Sequence, residues 1–280
     1  MNDHKHDIEH HDDTGLRRQM TTITLSNEQF ESLYLQPRDP RMDSSNSRRF
    51  GNPTPLGVSS FLLAHVPLAM DLLNFQGATA ASTTTILGAF YACAGAGLYL
   101  ACIMEWILGN TFPSVVFGTF GGFWISYGVI IQPSAALAAS FAPASDASNG
   151  ITAAAAGAAT REYNAGLGMY FVVWGILCVF YFIASLRTNV PFAIVFFCLI
   201  FAFEFIAAAY FHTGQGRTSL AAAEFKIGGG FAFGTGLAGF WIDLHLLLAS
   251  VGFRWNVPIF DLSGYNLLRE REKAEMGKDV

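Results

Sequence analysis

The chain has 280 residues, of which 52% are hydrophobic and only 13% are charged, and its formal net charge is −5. Globular proteins usually contain about a quarter charged residues, so this composition excludes an ordinary soluble protein. The mild acidic charge, with no basic patch interleaved with aromatic residues, gives no support to nucleic-acid binding.

The first segment, residues 1–49, is rich in Asp, Ser, Arg and His and has almost no apolar periodicity. Such a composition is typical of disorder, and we predict a disordered cytoplasmic tail without a secretory signal. Its four histidines could be interpreted as a metal-binding tract, but a solvated low-complexity tail is the preferred interpretation, and no metal or cofactor is expected.

Residues 50–250 are predicted to form a transmembrane domain. Only 11 of the 37 charged residues lie between 56 and 250, and apolar segments there approach the roughly 20 residues that a helix needs to cross a bilayer. The six predicted spans are 56–76, 85–108, 112–132, 167–186, 191–212 and 226–250. The fold class is therefore an all-α integral membrane protein with six transmembrane helices.

The stretch 133–166 interrupts this pattern, because its Ala, Ser and Gly content is too weakly hydrophobic for a span. We predict a long extramembrane loop that contains one or two amphipathic pieces. Residues 251–280 are predicted to be a cytoplasmic C-terminal tail.

The orientation follows from the distribution of arginine and lysine, which are enriched in cytoplasmic loops. Basic residues precede the first span, follow the last span and occur after the fourth span at Arg187. With six crossings these three groups share one side, so both termini are expected in the cytoplasm. Arg217 and Lys226 are predicted on the opposite side, which weakens the asymmetry of basic residues between the two sides of the membrane.

Small residues are abundant in the predicted spans, and Gly118–Gly122 and Gly230–Gly234 have the Gly-xxx-Gly spacing. This spacing allows helix backbones to approach closely in lipid. Tight packing alone explains most of these glycines, and room for a conduit is a compatible alternative. The four cysteines lie in apolar runs without metal-ligand spacing and are expected to be small buried residues.

No soluble-enzyme motif is present, and the chain is not expected to be an enzyme. Ionisable residues within the spans are the stronger indication of function, because burying each one in a membrane is costly. The candidates are His65, Asp71, Glu105, Glu204, Asp243 and His245. Glu105 could instead be a structural partner for a helix end, and Asp243 and His245 face different directions on their helix.

The stretch "NPTPLGV", residues 52–58, marks the change from charged to apolar sequence. Asn52 is a good N-cap residue, and proline is favoured at the first helical position. The stretch therefore predicts the start of the first helix. Many other sequences could cap a helix equally well, however, so capping does not explain why this particular stretch is present.

"NPTPLGV" resembles the Asn-Pro-Ala-Pro-Leu-Gly-Leu signature of the acetate uptake transporter family, which includes bacterial succinate–acetate permeases and fungal acetate and ammonium-export proteins. Further matches follow in the same order: "MEWILGNTF", "TFGGFWISYG" and "FKIGGGFAFG". Together they cover roughly residues 50–250. The long tail and "FKIGGGF" are more similar to the fungal branch.

The resemblance implies a six-helix protomer, a hexameric assembly, and a narrow path for a small carboxylate in each protomer. It places a hydrophobic constriction at Phe61, Phe120 and Leu199, with Gly239 tuning its width. Two positions depart from the family pattern: Phe120 stands where Tyr is usual, and Leu98 where Gln is frequent. These departures affect substrate identity more than fold.

A narrow apolar path for a carboxylate also requires polar donors at its mouths, and Asn52, Thr54 and Thr119 are the candidates. The predicted function is transport of acetate and other short-chain monocarboxylates, proton-linked or channel-like, across the plasma membrane. Two alternatives are ammonia or ammonium export and a non-transporting membrane nutrient sensor. The expected partners are a small monocarboxylate, the lipid bilayer and further copies of the chain, without nucleic acid.

Overall fold

A computed structural model describes residues 50–143 and 151–262 of the chain. The predicted N-terminal tail, residues 1–49, lies outside the described residues, as does the predicted C-terminal tail beyond residue 262.

The described ranges are almost entirely helical, and we number the α-helices in chain order. They are α1 (Thr54–Leu72), α2 (Leu98–Leu108), α3 (Thr111–Ile131), α4 (Ala153–Ala158), α5 (Arg161–Ser185), α6 (Val190–Gly214) and α7 (Thr218–Ser250). A π-helical segment, Ala89–Gly97, leads directly into α2, and short 3₁₀ segments cover Phe75–Gly77, Ala80–Ile86, Pro133–Ala135 and Ala138–Phe141. The β-structure in these ranges is one isolated antiparallel bridge between Asn189 and Asp261.

Six of these helical units are long and apolar enough to cross a membrane, which confirms the predicted fold class. They are α1, the π-helical segment joined to α2, α3, α5, α6 and α7. Many large apolar side chains point away from the core; Val173 and Phe180 on α5, for example, are 64% and 61% exposed. Such an apolar exterior suits lipid rather than water, and the protein is a multi-pass membrane protein.

Four spans differ from the prediction by four residues or more at one end, and the second span begins at Ala89 rather than 85. The fourth begins at Arg161 rather than 167, because the Thr160 hydroxyl accepts a hydrogen bond from the Tyr163 amide at 3.4 Å and caps α5. The predicted 133–166 loop is therefore shorter, and it contains α4. The sixth begins at Thr218 rather than 226, directly after a turn at Gly216 with φ of 73°. The first ends at Leu72 rather than 76, since Asn74 adopts a left-handed φ of 60°.

The spans close around a shared core. α7 packs against both α1 and α6, α6 packs against α5, and α3 packs against α2 and the π-helical segment, which also contacts α1. Aromatic rings join α3 to α5, as between Phe120 and Trp174 at a centroid distance of 5.5 Å. The interior of the bundle is consequently dominated by aromatic and aliphatic side chains.

The chain after α7 folds back along the bundle. Trp241 Nε1 donates to the Pro258 carbonyl at 2.7 Å, and the Val190 amide donates to the Phe260 carbonyl at 3.1 Å. This segment therefore lies beside the turn between α5 and α6, at the end of the bundle where α6 begins.

Candidate functional site

Two cavities adjoin inside the bundle and follow one another along α1. The smaller has about 450 Å³ of non-atom space, including solvent open to it, and reaches Val58 near the start of α1, whereas the larger has about 620 Å³ measured in the same way and reaches Leu72 at the end of α1. Because an α-helix rises about 1.5 Å per residue, together they follow about 21 Å of this helix. The cavities therefore extend through most of the length of a span.

Three residues line both cavities and form the wall between them: Phe61, Phe120 and Leu199. They come from α1, α3 and α6, which are the first, third and fifth spans and run in the same direction. The rings of Phe61 and Phe120 meet edge to face with centroids 5.9 Å apart. The structure thus brings together the three residues at which the family resemblance places a constriction, and we call them the wall.

The smaller cavity is lined by apolar side chains from α1, α2, α3, α6 and α7. Besides the wall residues these are Val58, Leu98, Val116, Phe117, Phe192, Val195, Phe196, Gly239 and Ile242. A Cβ atom on Gly239 would lie 2.8 Å from Leu62 Cδ2, so glycine allows α7 and α1 to approach closely here. Both departures from the family pattern, Leu98 and Phe120, line this cavity, where they can influence which cargo fits.

The larger cavity is strongly aromatic but also contains polar groups. Its polar lining residues are His65, Thr83, Trp124, Tyr127 and Tyr210, and none of its described lining residues is Asp, Glu, Lys or Arg. His65 is 5% exposed, stacks on Phe61 at 4.4 Å, and places Nε2 2.8 Å from the Ala232 carbonyl oxygen. Since a carbonyl can only accept, Nε2 carries the hydrogen of this bond.

Asn52 and Thr54 lie outside both linings, at the start of α1. α1 begins one residue later than a cap at Asn52 would place it, with Pro53 in the capping position, but Asn52 Oδ1 still accepts a hydrogen bond from the Thr54 amide at 3.0 Å. Thr54 Oγ1 donates to Glu105 Oε1 at 2.5 Å, and Asn110 Nδ2 donates to Glu105 Oε2 at 2.6 Å. The fully buried Glu105 thus joins the start of α1 to the turn between α2 and α3.

Thr119 also lies outside both linings. Its hydroxyl lies 2.9 Å from the Val115 carbonyl oxygen, one turn earlier on α3, and 3.0 Å from the Tyr181 hydroxyl. In this arrangement Thr119 joins α3 to α5. Its assignment as a donor for cargo stays a prediction, as do those of Asn52 and Thr54.

Three of the other candidate ionisable residues, Asp243, His245 and Glu204, have separate surroundings. Asp243 accepts hydrogen bonds from Ser59 Oγ at 2.9 and 3.0 Å, whereas His245 Nδ1 lies 2.6 Å from the Val257 carbonyl oxygen. Glu204 packs closely on Gly175, and a Cβ atom added to Gly175 would overlap the Glu204 carboxylate. Within the described residues, no group of three or more His, Cys, Asp or Glu side chains is placed to hold a metal ion.

Among the polar residues of the larger cavity, reasoning from the sequence missed Thr83 and three aromatic side chains, Trp124, Tyr127 and Tyr210. Trp124 and Tyr127 lie in the "TFGGFWISYG" block, four and seven residues after Phe120, so they share its helix face. That spacing could have identified both. No comparable signal marks Tyr210, which the packing of α6 brings to the cavity.

Comparison with known proteins agrees with this architecture. The sequence profile of the GPR1/FUN34/yaaH family matches residues 35–263. Protein alcS of Aspergillus fumigatus is 33% identical over 258 residues, covering 91% of this chain and 92% of the relative. Acetate transporter protein patA of Penicillium expansum is 28% identical over 231 residues, covering 82% and 86%.

Among solved structures, the bacterial acetate channel SatP is similar, with a TM-score of 0.57 and 23% sequence identity. The match covers 75% of this chain and 99% of the channel, and it shows that the two proteins share a fold. The family profile spans all of the described helices, from before α1 to beyond α7. The chain belongs to the GPR1/FUN34/yaaH family.

Proposed function

We propose that this protein carries acetate and other short-chain monocarboxylates across the membrane, along a path through both cavities and past the wall. One observation carries this proposal: Phe61, Phe120 and Leu199 line both cavities, so a small opening between three side chains would join them. A narrow apolar constriction between wider chambers is an arrangement by which channels gate and select cargo.

The lining favours movement of the cargo together with a proton. A bare carboxylate in an apolar interior is strongly destabilised unless a positive charge is near it, and the described lining residues of both cavities include no Lys or Arg. The uncharged acid avoids this cost. Proton-linked transport is therefore part of the proposal.

The named relatives support the choice of cargo. The patA proteins of Penicillium expansum and Aspergillus clavatus are called acetate transporters, and a relative in Emericella nidulans is called an acetate permease. The similar solved structure is described as an acetate channel. A short monocarboxylate also suits a path whose wall is built from two phenyl rings and a leucine.

The proposal includes the cellular setting. The arginine distribution favours cytoplasmic termini, and the family resemblance implies a homo-oligomer, a hexamer, in the plasma membrane. Each path would lie within one protomer, since the described residues of a single chain line both cavities. Oligomerisation would then cover part of the exposed apolar exterior rather than complete the path.

Uptake of radiolabelled acetate into liposomes that contain the purified protein tests the proposal. Because acetic acid crosses lipid by itself, protein-free liposomes give the background, and an external pH well above the acid's pKa keeps that background low. We expect saturable acetate uptake above background, accompanied by acidification of the lumen. Absence of flux would favour a sensor, whereas methylammonium flux without acetate flux would favour ammonium export.

A further inference from the structure

The indole of Trp124 has a buried hydrogen-bond donor without an acceptor. Its side chain is 0% exposed, and its Nε1 has no partner among the described residues. Leaving such a donor unpaired destabilises a protein, and native structures contain few of them. Trp241 shows the usual arrangement, since its Nε1 donates to the Pro258 carbonyl at 2.7 Å.

The surroundings of Trp124 hold its ring but do not satisfy its N–H group. Its ring centroid lies 4.7 Å from that of Phe90, 5.2 Å from Phe123, 6.2 Å from His65 and 6.3 Å from Phe61. These aromatic contacts fix the orientation of the indole. A donor held rigidly in this way is prepared for an acceptor that is absent from the described residues.

Trp124 lines the larger cavity, four residues after the wall residue Phe120 on α3. One helical turn therefore separates them, about 6 Å along the axis and on the same face. The other ring nitrogen donor of the cavity is already engaged, because His65 Nε2 donates to the Ala232 carbonyl. A small molecule in the cavity next to the wall would therefore lie beside the indole that carries the unpaired donor.

We propose that the Trp124 Nε1–H group donates a hydrogen bond to a carboxyl oxygen of the cargo in the larger cavity, next to the wall. This inference rests on the proposed function and adds a residue that determines specificity. A carboxyl oxygen, in the acid or in its anion, accepts this bond, whereas ammonium has no acceptor. Trp124 would therefore favour monocarboxylates and disfavour ammonium.

The first test uses the indole N–H signals of the ¹⁵N-labelled, detergent-solubilised full chain, which has five tryptophans. Trp124→Phe identifies the Trp124 signal; if that variant does not fold, replacing each of the other four tryptophans identifies it by elimination. Sodium acetate should shift this signal saturably, whereas sodium chloride or ammonium chloride at equal ionic strength should not. An unmoved signal, or an equal shift with chloride, would overturn the inference and leave a bound water as the partner.

The second test compares transport by Trp124→Phe and Trp174→Phe in liposomes. Trp174 packs on Phe120 and Phe123 but lines neither cavity, so it is a matched control for the loss of an indole. Because one hydrogen bond contributes about 1 kcal/mol, Trp124→Phe should raise KM for acetate about fivefold and the control should not. An unchanged KM in folded Trp124→Phe would refute the inference.

Failure of this inference can be told apart from failure of the proposed function. If the wild-type protein transports acetate while the Trp124 signal is unaffected, only the role of Trp124 is refuted. If the wild-type protein produces no acetate flux, the proposed function fails, whatever the indole signal shows.

Discussion

Thr54 and Glu105 form a buried hydrogen bond of 2.5 Å that joins the first span to the second. Thr54 is the third residue of the "NPTPLGV" stretch and is 1% exposed, and Glu105 is fully buried. Asn110 completes the cluster from the start of α3. The conspicuous start of the first helix therefore does more than cap it, because it fastens three spans together at one end of the bundle.

Replacing Glu105 should destabilise the protein. Glu105→Ala leaves the donors of Thr54 and Asn110 unpaired in a buried place, so we expect the free energy of unfolding to fall by about 2–4 kcal/mol. The apparent melting temperature in detergent measures this. Glu162→Ala, which removes an exposed carboxylate at the start of α5, is the control and should have little effect. Equal melting temperatures for the two variants would contradict the structural role of Glu105.

Shortening Leu199 should widen the opening at the wall. Leu199→Ala removes three carbon atoms from a side chain that lines both cavities, so the variant should admit bulkier acids and raise the lactate-to-acetate flux ratio severalfold. Flux per folded protein in liposomes measures this ratio. Leu167→Ala on α5 removes the same atoms from a buried site outside both cavities. If both variants only lose stability, by about 2–5 kcal/mol, Leu199 is a packing residue alone.

Adding a side chain at Gly239 should obstruct the smaller cavity. A Cβ added to Gly239 would lie 2.8 Å from Leu62 Cδ2, so Gly239→Leu must displace Leu62 or occupy the cavity that Gly239 lines. We expect acetate flux to fall at least tenfold. Gly230→Leu on the same helix is the matched control, because a Cβ at Gly230 has no neighbour within 4 Å. Undiminished flux through folded Gly239→Leu would remove this position from the path.

Asn52→Ala distinguishes a capping role from a role in transport. The variant loses the hydrogen bond between Asn52 Oδ1 and the Thr54 amide, and loss of such a bond costs about 1 kcal/mol. If Asn52 also contacts the cargo, flux should fall severalfold in protein that still folds. Thr160→Ala, which removes the cap of α5, is the control for helix capping. Similar flux in both variants would mean that Asn52 only supports the helix.

Cysteine labelling tests the orientation in the membrane. In a background without the four native cysteines, a cysteine at Ile151 should react with an impermeant reagent from outside the cell, and one at Arg187 should not. Both side chains are exposed, whereas nearby Asn189 is buried and would be a poor labelling site. The reverse labelling pattern would place the termini outside.

Much of the architecture could be predicted from the sequence, because a bilayer demands long apolar helices in which the backbone satisfies its own hydrogen bonds. Length and apolarity therefore determined six spans, and the "NPTPLGV" stretch determined where the first begins, to within two residues. The family motifs also indicated Phe61, Phe120 and Leu199, whose shared position between two cavities is now visible.

Only the tertiary structure decided which side of each helix faces the path. In a membrane protein both lipid and core are apolar, so hydrophobicity does not distinguish the buried face of a helix from the exposed one, as it does in water. Phe180 and Phe120 are equally apolar, yet Phe180 faces outward and Phe120 is part of the wall. The unpaired indole of Trp124 and the hydrogen-bond partners of Glu105 depend on how distant parts of the chain pack together. They could therefore be identified only in the folded structure.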